Sequence, residues 1–270
     1  MSSSKDRYVV LGNPIAHSKS PFLHTHFAQQ TQQNLDYRPL LAPLDEFDTT
    51  VNGFIAQGGK GANVTLPFKL QAFALCTELT PRAKAAGAVN TLLFKTGHII
   101  GDNTDGCGLV NDIVHNAGVN LTGQRILLLG AGGAARGALL PLLECQPAQI
   151  VIANRTVARA EELATQFQPF GNVLASSFEA VNGAFDLIIN ATSASINAEV
   201  PPVPASVFSP NCFAYDMMYG NQPTVFMQHA AAQGATTRDG WGMLVEQAAE
   251  AFYLWRGVKP ATDALLKQHP

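Results

Sequence analysis

The chain has 270 residues, 47% of them hydrophobic and only 14% charged, with a formal net charge of −3. This composition supplies buried cores for two modest domains or one large one and excludes a disordered chain. The near-neutral charge excludes the basic footprint of a nucleic-acid binder. Four scattered cysteines, Cys76, Cys107, Cys145 and Cys212, lack CxxC or other metal-ligand spacing and read as reduced thiols, with no metal expected. No charged segment leads into an apolar signal core, and no apolar run reaches membrane-spanning length. The expectation is a soluble, cytoplasmic protein without membrane or nucleic-acid partners.

Residues 7–11 predict a first strand that ends at Gly12-Asn13-Pro14. A loop follows, and Pro21 opens an amphipathic helix to about residue 33. Ser18 and Ser20 stand just before that helix, where hydroxyls and free N–H groups can hold an anion such as a carboxylate. Taken alone, Ser20 reads more readily as a plain N-cap. His24 and His26, two apart on a helix, point to different faces and do not chelate together.

A second strand is predicted over 37–41 and a helix over 44–57. The third strand runs into Gly61-Ala62-Asn63-Val64-Thr65-Leu66-Pro67-Phe68-Lys69, where Pro67 stops it and Lys69 starts the next helix. Strand–helix alternation continues through 88–94 and 98–101, so the N-terminal region is itself α/β. Two polar clusters stand at strand ends, Asn63 with Thr65 and Lys69, and Asn90 with Thr91. Ligands of open α/β sheets bind in the crevice beyond such ends. The turn Gly101-Asp102-Asn103-Thr104-Asp105-Gly106 then opens a helix to about residue 116, where Asp105 also suits the helix dipole.

The run Ile126-Leu127-Leu128-Leu129 reads as a buried strand, broken by Gly130-Ala131-Gly132-Gly133-Ala134-Ala135 and followed by an Ala- and Leu-rich helix. Gly130, Gly132 and Ala135 match the G-x-G-x-x-G/A turn that offers backbone N–H groups and a helix N-terminus to a pyrophosphate. The next strand, 150–153, ends in Asn154-Arg155-Thr156, with Arg159 one helical turn on. An NAD fold places Asp or Glu there to grip the ribose 2′-OH. Guanidinium groups instead pair with a 2′-phosphate, so the site reads as built for NADP. Strands over 173–175, 187–190 and 213–216 complete a Rossmann-like domain. An Ala-rich helix runs from Gly240 towards Trp255, and a short helix follows Pro260.

In this order, the motifs resemble the shikimate dehydrogenases over nearly the whole chain. They are Gly12-Asn13-Pro14 with Ser18-Lys19-Ser20, the run from Asn63 to Lys69, Gly87-Ala88-Val89-Asn90-Thr91, the Asp102–Asp105 turn, the Gly130 turn, Asn154-Arg155-Thr156, and Asp239-Gly240 through Met243-Leu244 to Gln247. The resemblance implies reversible, NADP-linked reduction of 3-dehydroshikimate to shikimate in aromatic amino-acid biosynthesis. It implies an α/β fold with a substrate-binding domain over 1–103, completed by C-terminal helices over 240–270. A Rossmann-like NADP-binding domain would cover 104–239, with the active site in the cleft between them, and the assembly would be a homodimer. Lys69 and Asp105 would be the catalytic pair. Ser18, Ser20, Asn63, Thr65, Lys69, Asn90, Asp105, Tyr219 and Gln247 would hold substrate. Gly130, Ala131, Gly132, Gly133, Ala134, Asn154, Arg155, Thr156, Arg159, Met217 and Gly240 would hold NADP.

The residue types suit that chemistry. Hydride transfer to a ketone builds negative charge on its oxygen, and a positioned ammonium stabilises the charge and supplies a proton. A neighbouring carboxylate favours the charged lysine, which suits Lys69 as the acid of the reductive direction. Two departures stand out: the segment after Tyr219 lacks the family's Thr-Pro step, and Pro81 replaces a polar residue beside Arg82. The rival readings are a quinate/shikimate dehydrogenase with relaxed substrate or NAD use, and a non-catalytic NADP-binding sensor.

Overall fold

The structure is a computed structural model that describes residues 5–269. The chain forms a two-domain α/β fold. One compact unit contains the described residues up to Gly108 together with Val245–Lys267; the other contains Leu109–Leu244 and the described residues after Lys267. These divisions differ by a few residues from boundaries at 103 and 240. Thr104 and Asp105 go with the first unit because both bond Asn90. Residues 240–244 go with the second, where the Gly240 N–H donates to the Met218 carbonyl and the Met243 N–H to the Tyr215 hydroxyl.

The first unit begins with β1 (Asp6–Gly12), α1 (Ser20–Gln30), β2 (Leu35–Leu41), α2 (Phe47–Ala56), β3 (Gly59–Val64) and α3 (Lys69–Leu75). It continues through β4 (Glu78–Leu79), α4 (Pro81–Ala86), β5 (Thr91–Lys95) and β6 (His98–Asp102). Its sheet has the order β2-β1-β3-β5-β6-β4. The strands β1, β2 and β3 run parallel, but β5 pairs antiparallel with both β3 and β6. This register sets Asn63 opposite Thr91, and Thr91 opposite Asp102, so their side chains share a neighbourhood. Leu11, Val51, Ala62, Phe68 and Leu92 are among the buried residues of the core beneath.

The helix α5 (Asp105–Asn111) ends in a π turn over Asp112–Asn116. The second unit then alternates through β7 (Arg125–Leu129), α6 (Gly133–Glu144), β8 (Gln149–Ala153), α7 (Val157–Phe167), β9 (Val173–Ser176), β10 (Phe185–Asn190), β11 (Phe208–Asp216), α8 (Val225–Ala232) and β12 (Thr236–Arg238). Every strand pair in this sheet is parallel, in the order β12-β11-β10-β7-β8-β9. That is the order of dinucleotide-binding folds, with its reversal at β7 and β10. The continuous aliphatic run in β7 follows from burial on both faces: Ile126, Leu127, Leu128 and Leu129 are wholly inaccessible. Finally come α9 (Trp241–Arg256) and α10 (Asp263–Leu266). Among the described residues no helix is long and apolar enough to cross a membrane, and no group of three or more His, Cys, Asp or Glu could hold a metal ion.

Candidate active site

In the first unit, the turn after β3 places Lys69. Phe68 is fully buried and stacks on Phe47 at 4.9 Å, which pins the start of α3 to the core. The Lys69 carbonyl accepts the Val89 N–H, drawing that helix start to the segment carrying Asn90. The Lys69 ammonium then meets the Asp105 carboxylate, Nζ to Oδ2, at 2.5 Å. Asp105 is itself fixed from below. Its N–H donates to Asn103 Oδ1, the Asn103 amide donates to the Ala88 carbonyl, and the Asn103 N–H donates to Asp102. Arg82 grips both oxygens of Asp102 at 2.7 Å and also reaches Glu250 at 3.0 Å, so α4 and α9 brace the turn.

Around this pair lies a buried amide cluster. Asn90 Nδ2 donates to Asp105 Oδ1 at 2.8 Å, to Thr104 Oγ1 at 3.0 Å and to Gln247 Oε1 at 3.4 Å. Asn63 Nδ2 donates to Thr91 Oγ1 and to the Asn90 carbonyl, while Asn63 Oδ1 accepts the Tyr37 hydroxyl. The structure thus brings Lys69, Asp105, Asn63, Asn90 and Gln247 together. Ser18 Oγ accepts the Ser20 N–H. Burial pushes the Tyr37 phenol up, and the nearby Ser20 partly offsets that shift. Thr65 is held through its backbone to Leu11 and joins the cluster by no side-chain hydrogen bond among the described residues. Tyr219 belongs to the second unit, where its ring lies 5.8 Å from that of Trp241. Burial raises its phenol above the ordinary range.

In the second unit, the β7–α6 turn combines two kinds of glycine. Gly130 has φ +104, and a Cβ there would approach Thr192 Cγ2 to 3.1 Å and the Ala191 carbonyl to 3.2 Å, so the fold itself demands glycine. A Cβ on Gly132 or Gly133 would meet nothing within 4 Å. These two glycines, with Ala134, lie exposed at the start of α6, where the first N–H groups of a helix lack internal partners. At the end of β8, Asn154 Nδ2 donates to the Thr156 carbonyl. Arg155, Thr156 and Arg159 are exposed, and neither arginine has an acidic partner among the described residues. Met217 and Gly240 lie back to back: a Cβ on Gly240 would overlap the Met217 carbonyl oxygen.

Sequence reasoning missed Tyr37, and it gave no role to Thr91, Thr104 or the Arg82–Asp102 pair. It missed Asp216 too. This inaccessible carboxylate accepts from the Ser195 and Thr224 hydroxyls, the Asn190 amide and the Met218 N–H, and so ties the loops after β10 and β11 together. Burial pushes the cysteine thiols up, Cys76 to about 12 and Cys212 to about 11, which leaves them poor nucleophiles.

Three family models match the chain in order. They are the shikimate dehydrogenase substrate binding domain over residues 10–92, shikimate / quinate 5-dehydrogenase over 112–198, and the shikimate 5'-dehydrogenase C-terminal domain over 240–268. The chain belongs to the shikimate dehydrogenase family. It is 60% identical to the NADP(+) shikimate dehydrogenase of Herminiimonas arsenicoxydans over 99% of this chain and 98% of that protein. Among solved structures, the Ael1 enzyme from Pseudomonas putida is similar with a TM-score of 0.93 and 48% identity, covering 98% of both chains. Shikimate 5-dehydrogenase from Thermus thermophilus, solved in complex with NADP(H) and shikimate, is similar with a TM-score of 0.83 and 31% identity over 97% of both chains. The family likeness therefore extends through both units.

Proposed function

We propose that this chain catalyses the reversible, NADP-linked reduction of 3-dehydroshikimate to shikimate, with the first unit holding the substrate and the second holding NADP. The observation that carries the reading is the Lys69–Asp105 pair set in a buried cluster of Asn63, Asn90 and Gln247. A carboxylate, an ammonium and three amides offer a dense set of partners for ring hydroxyls, more than a surface ion pair needs. Ser18 and Ser20 would bind the substrate carboxylate, and Thr65, Asn63, Asn90, Asp105 and Gln247 the hydroxyl-bearing ring; Tyr219 is a further substrate residue on the family resemblance alone.

The second unit fits NADP. Gly132 and Gly133 leave open space where a phosphate can approach the helix start, and Arg155 and Arg159 offer guanidinium groups for a 2′-phosphate. Bound there, NADP would supply or accept the hydride. The chain's own residues do the rest. Lys69 would hold the carbonyl oxygen and give it a proton as negative charge builds, and Asp105 would orient both the ammonium and a neighbouring hydroxyl. Asn154, Thr156, Met217 and Gly240 would shape the two ends of the cofactor site with Gly130, Ala131 and Ala134.

The test is the change in NADPH absorbance with shikimate or quinate, each with NADP or NAD. Turnover confined to shikimate with NADP supports the reading. Comparable rates with quinate or NAD would move the protein to the relaxed quinate/shikimate branch, against which the absence of an acidic residue in Asn154-Arg155-Thr156 argues. Binding of NADP without turnover would mark a sensor. On the family resemblance we also propose a cytoplasmic homodimer, which light scattering tests for its assembly.

A further inference from the structure

The amide cluster of the first unit is aimed by two hydroxyls that the proposed reaction does not itself employ. Asn63 Oδ1 accepts from the Tyr37 hydroxyl at 2.7 Å, while Nδ2 faces Thr91 Oγ1 at 3.1 Å and the Asn90 carbonyl oxygen at 3.3 Å. Turned over, this amide would press its oxygen against that carbonyl, acceptor on acceptor. Asn90 is aimed in the same way. Its Oδ1 accepts from the Thr91 hydroxyl and from the Thr104 N–H, both at 2.9 Å, which leaves Nδ2 for Asp105. Turned over, Asn90 would present an oxygen to the carboxylate that pairs with Lys69.

Thr91 is the joint between the two amides: its hydroxyl accepts from Asn63 and donates to Asn90. It can do so because β3 and β5 pair Asn63 directly opposite Thr91. Tyr37 anchors the far end. Its ring is buried and stacks on His24 with centroids 4.2 Å apart and planes 11° from parallel, so its hydroxyl has little freedom to turn elsewhere. Both residues are nearly inaccessible, and a polar group so buried needs its partner.

We propose that Thr91 and Tyr37 are positioning residues for the reaction, fixing which side of Asn63 and Asn90 donates and which accepts, and through Asn90 holding Asp105 toward Lys69. The proposal rests on reading the first unit as the substrate-binding half. It has a consequence for recognition. With both Nδ2 protons of Asn63 committed inside the protein, Asn63 can meet a substrate hydroxyl only as an acceptor, through Oδ1.

The test uses Thr91→Val, which keeps the shape and removes the hydroxyl, Thr91→Ser, which restores it, and Tyr37→Phe, all in the full chain. Thr91→Val and Tyr37→Phe should each lower kcat/KM for shikimate about tenfold, the size expected for one buried hydrogen bond, with KM for NADP unchanged. Thr91→Ser should recover to within about twofold. In NMR spectra without ligand, the side-chain amide protons of Asn63 and Asn90 should exchange with solvent faster in Thr91→Val and as in wild type in Thr91→Ser. Wild-type kinetics in Thr91→Val, an equal rise in KM for NADP, or a serine variant that fails to recover would each overturn the proposal. Unchanged amide exchange would overturn it as well. That readout needs no turnover, so it decides the proposal even if the wild-type chain fails to oxidise shikimate, an outcome that would overturn the substrate reading instead. Should Thr91→Val fail to fold, Tyr37→Phe, which loses only an oxygen, carries the same test.

Discussion

Lys69 Nζ and Asp105 Oδ2 lie 2.5 Å apart, and the second oxygen of the same carboxylate accepts a hydrogen bond from Asn90 Nδ2 at 2.8 Å. The carboxylate is thus held at both ends, with the ammonium on one side only. Lys69→Ala should lower kcat about a thousandfold, within the range of a lost general acid, and change KM for shikimate by less than about threefold. Steady-state kinetics check this, and normal turnover in the variant would end the assignment of Lys69.

The two kinds of glycine in the β7–α6 turn separate stability from cofactor binding. Gly130→Ala must place a side chain at φ +104 against Thr192, and should cost about 1–3 kcal/mol in urea unfolding. Gly132→Ala meets open space within the protein and should leave the unfolding midpoint nearly unchanged while weakening NADP binding. Calorimetric titration with NADP and denaturant melts of both variants distinguish them. A Gly132→Ala protein that binds NADP normally would refute the phosphate role.

Arg155 and Arg159 are exposed cations without acidic partners among the described residues. Arg155→Ala should raise KM for NADP about tenfold and leave KM for NAD within about twofold, because only NADP carries the 2′-phosphate. Arg159→Ala should act in the same direction. The NADP affinity of the wild type should also fall as salt rises, since exposed charges are screened. Equal losses for both cofactors would show that the arginines act on the fold instead.

His24 sets a pH dependence of stability. Its ring is inaccessible, packed among Tyr37, Phe27, Phe252 and Trp255, and neither nitrogen makes a hydrogen bond of good geometry. Burial pushes its imidazole down to about 3 from the ordinary 6.5, with the nearby Asn63 amide opposing. The unfolded chain therefore takes up a proton below pH 6.5 that the native protein refuses until about pH 3. This contribution to stability is fully present above the unfolded pKa and is lost as pH falls, at about 1.4 kcal/mol per unit. Between pH 7 and pH 5.5 the wild type should lose about 1.4 kcal/mol more in urea unfolding than His24→Phe. Parallel losses would show that native His24 accepts the proton.

The second unit was the more legible in sequence because its signals are local. Four aliphatics followed by glycines identify a strand buried on both faces and a tight turn into a helix within a dozen residues, and a regular alternation carries the parallel sheet. The first unit hides more. The strand Glu78–Leu79 is too short for periodicity to register, and nothing local in Thr91–Lys95 announces that it runs antiparallel. Tyr37 was invisible as a site residue because its partner Asn63 comes to it only through strand order. Where the Thr-Pro step is missing, Thr224 caps α8 by accepting the Met227 N–H and donates to Asp216, so the start of that helix is held without it.

The first unit is built from two distant stretches of chain. Gln247 bonds Asn90 and Thr104, Glu250 bonds Arg82, the Trp255 indole donates to the Leu92 carbonyl, and Arg256 pairs with Asp6. On the ribosome the segment that begins at Asp6 emerges well before these partners, which leave only after the whole sheet of the second unit has been made. The residues of the second unit are therefore nearly all synthesised while the first still lacks most of α9. A nascent chain stalled before Gln247 would carry Lys69 and Asp105 without the residue that bonds Asn90 and Thr104 beside them, so that cluster is complete only once α9 has been made.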